Sequence, residues 1–524
     1  MKKILYKNFY YVVLSIVILF AFFLRAYRLA GIPDIIYIDE ASLGYNAWCI
    51  AHYGVDRYLN QMPFYAQNFE GGQSPLYTYG VVLLIKTIGR GNVSLLLVRL
   101  PGLISSMLVV IFGCKSISLL FQNRKITLMS AILLAICPYF IMHGRFALDC
   151  NLMLGCSTVA LYLLAKYIQT QKLPNLIMCG IAFGIVLYSY ALSYFVVPLF
   201  LIFSTLYMLY TKKITFLRSI ILAVCVCLTG LPVIIFACSL LFQLEPMKFL
   251  CFTISPVATE RMNDVVSSNF LENVIDIIKI TLTNSFYPLD AVDKFYTMYL
   301  TSIPFIIAGF FVSVKHFAVS LRNRCFHYGA LYLIFYICGL ITIGLVGTHY
   351  IYRANYFFIS YLYFLISGIY AVYQFVHSYR YIFIGVLGAS YFIWALSFFR
   401  FYYTMYSLSD MYTYPNSLYF IPIEEAIISA QNDPSIDEIY VDCVNTEEYY
   451  YFYFPVSPYE KESGHNEDGG HGRYHLQIDY YTPIESHNAY IVRKENHDFI
   501  SNLSLSGYDF DMIEYQNYYM FHVL

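Results

Sequence analysis

Apolar residues run along the first 400 positions in blocks, separated by short polar breaks, with no strand-like alternation. Runs of about 17–25 apolar residues are the length a helix needs to cross a bilayer. Eleven such runs stand out: roughly 10–29, 94–121, 126–142, 147–168, 175–191, 194–211, 217–242, 298–314, 328–346, 354–376 and 381–400. The first follows Lys2, Lys3 and Lys7 and has no small-residue cleavage site, so it reads as a span and not a removable leader. The stretch Pro75–Gly89 is ambiguous: it is apolar but only 15 residues long. After residue 400 the pattern changes. Ile421–Asn432 reads as a helix, and Asp437–Val444, Tyr474–Tyr481, Asn488–Lys494 and Tyr518–Val523 read as strands. The expected architecture is an α-helical polytopic membrane domain over 1–400, with about 11 transmembrane helices plus juxtamembrane helices. A small C-terminal α/β domain over 401–524 follows it.

Composition agrees with lipid exposure. The 524 residues are 59% hydrophobic and only 12% charged, about half the charge of an average soluble domain. The net charge of −1 leaves no basic surface for nucleic acid, but that total hides a segregation. Of 33 acids, 13 precede residue 410 and 20 lie from Asp410 onward, whereas 28 of 32 basic residues precede it. The early acids lie between Asp34 and Glu70, at Asp149, and between Glu245 and Asp293; the stretches 1–33, 71–148, 150–244 and 294–409 contain no acid. Short loops rich in Lys and Arg stay cytoplasmic. If Pro75–Gly89 only dips into the interface, every basic loop falls on the inside and all 13 early acids fall outside. If it spans, the bias is broken. The first arrangement is therefore expected. The N-terminus is cytoplasmic, Pro75–Gly89 is an interfacial helix, and the loops 30–93 and 243–297 and the tail are extracytoplasmic. No period of 20–50 residues repeats.

On the expected outer face, Asp39 and Glu40 open a helical pattern just past the first span. Acids favour the first turn of a helix, so capping explains one of them. Two acids beside the interface, with Arg25 and Arg28 behind them, also suit chemistry. Glu70-Gly-Gly-Gln73-Ser74-Pro75 leads into the interfacial helix, Arg99 opens the second span, and His143-Gly-Arg145 precedes Asp149. Arginines at this depth pair with carboxylates or phosphates, or snorkel to headgroups. Asp149 is the lone acid between residues 71 and 244. It is either a functional carboxylate or the partner of Arg145 or Arg99. Carboxylates can take a proton from an attacking hydroxyl or amine, and arginines can hold a leaving phosphate. The set suits transfer of a group from a lipid phosphate to an acceptor outside the cytoplasm. Asp39, Glu40 and Asp149 could hold a divalent metal such as Mg or Mn, or work without one, and no clear ligand set is present. In the tail, His465, His471 and His475 match no structural zinc spacing, and a solvated loop explains them. The 13 cysteines show no paired spacing.

These motifs resemble a known family. Arg25–Arg28…Pro33…Asp39-Glu40-Ala41, Ser74-Pro75-Leu76-Tyr77, Arg99-Leu100-Pro101 and Pro138…Arg145-Phe-Ala-Leu-Asp149-Cys-Asn151 stand in the order found in GT-C-fold glycosyltransferases that use polyprenyl-phosphate sugars. Protein O-mannosyltransferases and the lipid A aminoarabinose transferase belong to that group. The resemblance covers roughly residues 15–165, and the family's conserved module would correspond to about 10–242. It implies an integral-membrane glycosyltransferase, hexosyl or pentosyl, that moves a sugar with inversion from a polyprenyl-phosphate donor. The acceptor would be a glycan, lipid or protein on the extracytoplasmic face. Asp39 would be the general base, Asp149 would bind the acceptor or position groups, and Arg99 would support the site. Arg353, at the outer end of the tenth span, would stand near the donor phosphate. Where the aminoarabinose branch has Lys-Pro, this chain has Ser74-Pro75, which argues against that sugar; Arg145 or Arg353 would take the place of the lysine. Two other readings remain: a transporter or flippase of a lipid-linked or anionic solute, and a catalytically inactive glycan-binding relative. The low Trp and rich Tyr usage suggests a bacterial plasma membrane.

Overall fold

The computed structural model describes residues 2–33, 36–68, 71–256, 269–283, 291–292, 294–348, 350–404, 424–442, 446–463, 470–476, 478, 482–515 and 518–524. The chain forms two compact units. The first comprises Met1–Ile32, Phe64–Gly80 and Arg99–Tyr406; the second comprises Pro33–Pro63, Val81–Val98 and Ser407–Leu524.

All eleven apolar runs are helical. They correspond to α1 (Lys2–Ala26), α4 (Leu95–Phe121), α5 with α6 (Arg124–Ile136, Pro138–Met142), α7 (Asn151–Thr170), α8 (Leu173–Val186), α9 (Ser193–Tyr210), α10 with α11 (Phe216–Thr229, Leu231–Phe242), α13 (Ile303–Asn323), α14 (Gly329–Val346), α15 (Phe357–Phe375) and α16 (Arg380–Thr404). Eight of the described helices are long and apolar enough to cross a bilayer, and the bent pair α10–α11 makes nine. The remaining two runs fall short for local reasons. Pro138 separates α5 from α6, and α8 has only 14 residues. The 72° bend between α10 and α11 falls at Gly230, just before Pro232 at the start of α11, where a proline cannot donate to the preceding turn. The chain is a multi-pass membrane protein.

Three further helices lie between these: α2 (Ile38–Tyr53), α3 (Pro75–Thr87) and α12 (Phe270–Leu282). The 13 residues of α3 extend about 20 Å, against a hydrocarbon core of about 30 Å. Both ends of the segment that contains α3 return to one loop. Ser74 hydrogen-bonds Asp149, and the Gly102 end of α4 packs against the carbonyls of Gly144 and Phe146. The return of both ends to one loop is what the expected interfacial segment requires.

Within the first unit, loops of equal parity meet. Phe64 N–H donates to the Thr253 carbonyl at 2.8 Å, and Tyr139 N–H donates to the Thr297 carbonyl at 2.9 Å. At the other ends of the helices, the Gln171 amide reaches the Lys213 carbonyl at 3.1 Å. Tyr210 Oη donates to the Leu321 carbonyl at 2.9 Å. The helices pack closely where they lack side chains. A Cβ at Gly309 of α13 would meet the Phe364 carbonyl of α15, and one at Gly368 of α15 would meet the Phe305 carbonyl of α13. Small residues at such crossings let backbones approach, as is usual between membrane helices.

The second unit is built on a five-stranded sheet in the order β6-β5-β7-β9-β8, with β5 (Ile439–Val441), β6 (Tyr474–Leu476), β7 (Ala489–Arg493), β8 (Phe510–Glu514) and β9 (Tyr518–Val523). β5 runs parallel to β6 and β7, and β9 runs antiparallel to β7 and β8. Tyr490, Val492, Phe499, Leu503 and Phe521 form one core under the helix His497–Leu505. The strand β8 is an addition to the expected four; its residues are mostly exposed and carry little apolar alternation. The predicted tail helix is seen as Glu424–Asn432, and the residues before it lie outside the described ones.

The same unit contains α2. Gly44 leaves room for the Phe452 ring of the helix Thr446–Tyr453, Tyr45 stacks on Tyr451 at 5.0 Å, and Tyr45 Oη donates to the Val456 carbonyl at 3.0 Å. A buried ion pair joins Arg57 Nη1 to Glu448 Oε1 at 2.9 Å.

Candidate active site

In the first unit, three of the expected residues come together. Asp149 lies in the turn before α7. Its Oδ2 accepts from the Ser74 hydroxyl at 2.6 Å and from the Ser74 N–H at 3.0 Å, and its Oδ1 accepts from the Cys150 N–H at 2.7 Å. Ser74 follows β2 (Gly71–Gln73) and precedes Pro75 of α3, so a short hairpin and a helix start together aim its hydroxyl. Burial raises the Asp149 carboxyl above its ordinary value, and the bonds from Ser74 and Cys150 and the charge of Arg353 oppose that rise.

Arg353 sits in a short helical turn, Ile351–Ala354, between α14 and α15. The adjacent Asn355 amide donates to the Cys150 carbonyl at 2.6 Å and so ties this turn to the Asp149 turn. The half-buried Arg353 guanidinium lies over the Tyr350 ring at 5.3 Å. Among the described residues it has no hydrogen-bonded or ion-paired partner. The charges of Arg353 and Asp149 both act on the hydroxyl of Tyr190, in the turn between α8 and α9. Leu76 N–H is anchored to the Tyr188 carbonyl of that turn at 3.2 Å. The hydroxyl of Tyr194 is buried without a described partner, within the field of Asp149. This tyrosine turn and Asn355 were not among the expected residues. The only sequence signal for them is three tyrosines, Tyr188, Tyr190 and Tyr194, crowded into a tight turn between two spans.

The other expected residues have different surroundings. Arg145 was expected to be available to a phosphate. Instead it is fully buried, and its N–H groups donate to the carbonyls of Leu24, Arg25, Tyr27, Arg28 and Ile32 at 2.7–3.2 Å. Six contacts on five donors leave none over. Arg145 caps the C-terminal end of α1, where unpaired carbonyls and the helix dipole attract a cation. The ordering of the loop after the first span explains why a cation is needed there. His143 is also not on a binding surface. It is 3% exposed, stacked on Tyr139 at 5.6 Å, with Nδ1 against the Tyr139 carbonyl at 2.9 Å. Burial pushes its pKa down to about 3, so it is a neutral core histidine. Arg99 is buried, donates to the Leu29 carbonyl at 2.9 Å and lies over the Phe146 ring; it supports the turn that leads to Asp149. Gln73 is buried at the end of β2. Glu70 lies outside the described residues.

Asp39 and Glu40 belong to the second unit, in the first turn of α2. Glu40 is fully buried, and its Oε2 accepts from the Tyr37 N–H at 3.1 Å, so it caps the helix. Asp39 is partly exposed. The two adjacent acids thus have different surroundings, which their shared position in the sequence does not distinguish. No three His, Cys, Asp or Glu side chains among the described residues gather into a metal site. In the tail, His475 faces Glu438 at 3.1 Å, and His465 lies outside the described residues.

Comparison with known proteins follows these features. Residues 73–236 match the family described as dolichyl-phosphate-mannose-protein mannosyltransferase. The apo structure of ArnT from Cupriavidus metallidurans is similar with a TM-score of 0.54 at 11% identity, over 99% of this chain and 98% of that one. The fold is GT-C. The ArnT structure bound to undecaprenyl phosphate gives 0.53 at 11% identity, over 98% and 97%. The Archaeoglobus fulgidus oligosaccharyltransferase in complex with Zn and sulfate gives 0.54 at 14% identity, covering 85% of this chain. The chain spans only 61% of the length of that oligosaccharyltransferase. No curated protein matches by sequence. At these identities the structural likeness is one of fold, and it extends through the C-terminal unit in ArnT.

Proposed function

We propose that this GT-C chain is a membrane glycosyltransferase that takes a sugar from a polyprenyl-phosphate donor. The observation that carries the reading is the meeting of Asp149, Ser74 and Arg353, which has no hydrogen-bonded or ion-paired partner among the described residues, at one end of the helices of a GT-C fold. A half-buried guanidinium with aromatic walls and no carboxylate bound to it suits the phosphate of a lipid-borne donor. One similar structure holds undecaprenyl phosphate, and the matched family is described as using dolichyl-phosphate mannose; both fit this donor class. The segregation of acids and bases along the sequence supports an extracytoplasmic position for this end.

In the proposed reaction the acceptor nucleophile attacks the anomeric carbon, the sugar–phosphate bond breaks, and configuration inverts. Asp39 takes the proton of the nucleophile. Arg353 stabilises the charge that develops on the leaving phosphate. Asp149, held by Ser74, orients the acceptor. The partial exposure of Asp39 and its position after the first span support the base role over Glu40, whose carboxylate is engaged in capping. The acceptor would be a glycan, lipid or protein.

The experiment is in vitro transfer from polyprenyl-phosphate sugars to extracted envelope acceptors, read by mass spectrometry. Asp39→Asn is expected to lose at least a hundredfold in rate, in line with the size of general base catalysis, while it still inserts and folds. Normal transfer by that variant would remove Asp39 as the base. Absence of any covalent product from the wild type, across donors, would remove the enzyme reading.

A further inference from the structure

We propose that the basic end of the first unit, at the loops after α7, α9 and α13, binds the headgroup of an anionic phospholipid. Three separate hairpin ends converge there. The Gln171 amide donates to the Lys213 carbonyl at 3.1 Å, and Gln171 Oε1 accepts from Arg218 Nη1 at 3.0 Å. Lys213 lies over the Phe326 ring at 5.8 Å, and Arg324 lies over the Tyr210 ring at 5.5 Å. Lys172, Lys212 and Arg322 extend the same loops and are exposed.

Among the described residues the six cations have no carboxylate counter-charge. Residues 150–244 and 294–409 contain no acid, and none of the six pairs with a carboxylate among the described residues. Polar and aromatic contacts hold the cations together but leave their charge uncompensated. The remaining demand is for an anion.

The neighbouring surface says what kind of anion. Leu206 is 57% exposed, Tyr210 43%, Phe216 74% and Leu217 67%, all at the same ends of α9 and α10. These side chains present apolar surface directly beside the cationic loops. A soluble acidic protein would satisfy the charges and leave that surface uncovered. A lipid with a negatively charged phosphate and acyl chains satisfies both. Basic pockets between membrane helices are a general means of holding such headgroups. This inference rests on charge and surface and is independent of the transfer reaction.

The test uses the full chain, purified in phosphatidylcholine nanodiscs and examined by native mass spectrometry and thermal melting. Added phosphatidylglycerol is expected to remain bound in preference to phosphatidylcholine and to raise the melting temperature. Replacing Lys213, Arg218 and Arg324 together by Gln is expected to lower that preference roughly tenfold to a hundredfold, with melting in phosphatidylcholine unchanged. Lys213→Arg, Arg218→Lys and Arg324→Lys together should restore it. Equal phosphatidylglycerol retention by the Gln variant would overturn the proposal. So would stabilisation of the wild type by soluble glycerol phosphate or inorganic phosphate to the same degree, which would indicate a simple anion site. If the Gln variant does not accumulate, the wild-type arms decide: no preference for phosphatidylglycerol over phosphatidylcholine overturns it.

Discussion

Arg145 separates two kinds of role that a sequence cannot. If it held a donor phosphate, Lys would preserve the charge and much of the function. The structure gives it five carbonyl acceptors at the end of α1. A buried carbonyl left unpaired costs roughly 1–3 kcal/mol. Lys has three donors on one nitrogen against the five of Arg on three, so a single Nζ cannot reach all of the Arg25, Tyr27 and Ile32 carbonyls, and Arg145→Lys strands at least one, a loss of at least about 1–3 kcal/mol. Arg145→Met strands the carbonyls of Arg25, Tyr27 and Ile32, a loss of roughly 3–9 kcal/mol, whereas those of Leu24 and Arg28 keep donors in Tyr403 Oη and the Gly31 N–H; that loss is of the order of the entire stability of a typical domain. Fluorescence size-exclusion and thermal melting in detergent read this directly. The Lys variant should melt well below wild type, and the Met variant should not accumulate as a monodisperse species. If Arg145→Met melts like wild type and only loses donor binding, the clamp role is wrong and the phosphate role stands.

Ser74→Ala removes a hydroxyl that lowers the Asp149 pKa and leaves burial to raise it. On the reading that Asp149 works ionised, the acid limb of the rate–pH profile should move to higher pH, with the rate recovering at higher pH; an unmoved limb would separate Asp149 from the reaction. Arg353→Gln should raise KM for the polyprenyl-phosphate donor at least tenfold with little change in melting temperature, because no protein partner is lost; unchanged donor kinetics would count against it as the phosphate ligand. Glu448→Gln leaves Arg57 buried beside a neutral partner and should destabilise the second unit by roughly 3–5 kcal/mol, seen as faster proteolysis of its helices. Gly309→Val drives a side chain into the Phe364 carbonyl and should prevent close packing of α13 on α15, at a cost of at least about 1–3 kcal/mol.

Much of the helical part is legible because the signal is long and cumulative. A run of apolar residues is set by composition over many positions, so each of the eleven coincides with a helix or a broken pair. Whether Pro75–Gly89 crosses is harder, because its length lies between classes, and the acids and bases at distant loops carry the information. In the tail, strands with apolar alternation are legible, whereas β8 lies at the sheet edge with four of its five residues exposed and has no such pattern. The site is legible in part. Asp149 is conspicuous as an acid in an acid-poor stretch. Ser74 follows from its motif. Tyr190 and Asn355 are ordinary residue types whose place depends on how distant turns meet. Glu40 and Asp39 are adjacent and chemically alike, and only the fold distinguishes a buried cap from a partly exposed carboxylate.

The same acid-poor stretches explain why the arginines behave as they do. A cation buried among helices needs a compensating partner, and in 71–148 and 150–244 the chain supplies no carboxylates. Arg25 therefore donates to the Ser106 hydroxyl and to the carbonyls of Ala21, Leu134 and Phe140. Arg145 takes the carbonyls around the end of α1, and Arg99 takes that of Leu29. Helix ends are where such carbonyls are unpaired, so arginines at the ends of spans can be satisfied without any acid. Asp149 is then not consumed by a structural ion pair. It keeps its hydrogen bonds to Ser74 and Cys150 and lies within the field of Arg353, which among the described residues has no carbonyl clamp. Compensation of the buried arginines by backbone leaves the Asp149 carboxylate and the Arg353 guanidinium uncommitted to each other or to a clamp among the described residues, and those are the groups on which the transfer proposal depends.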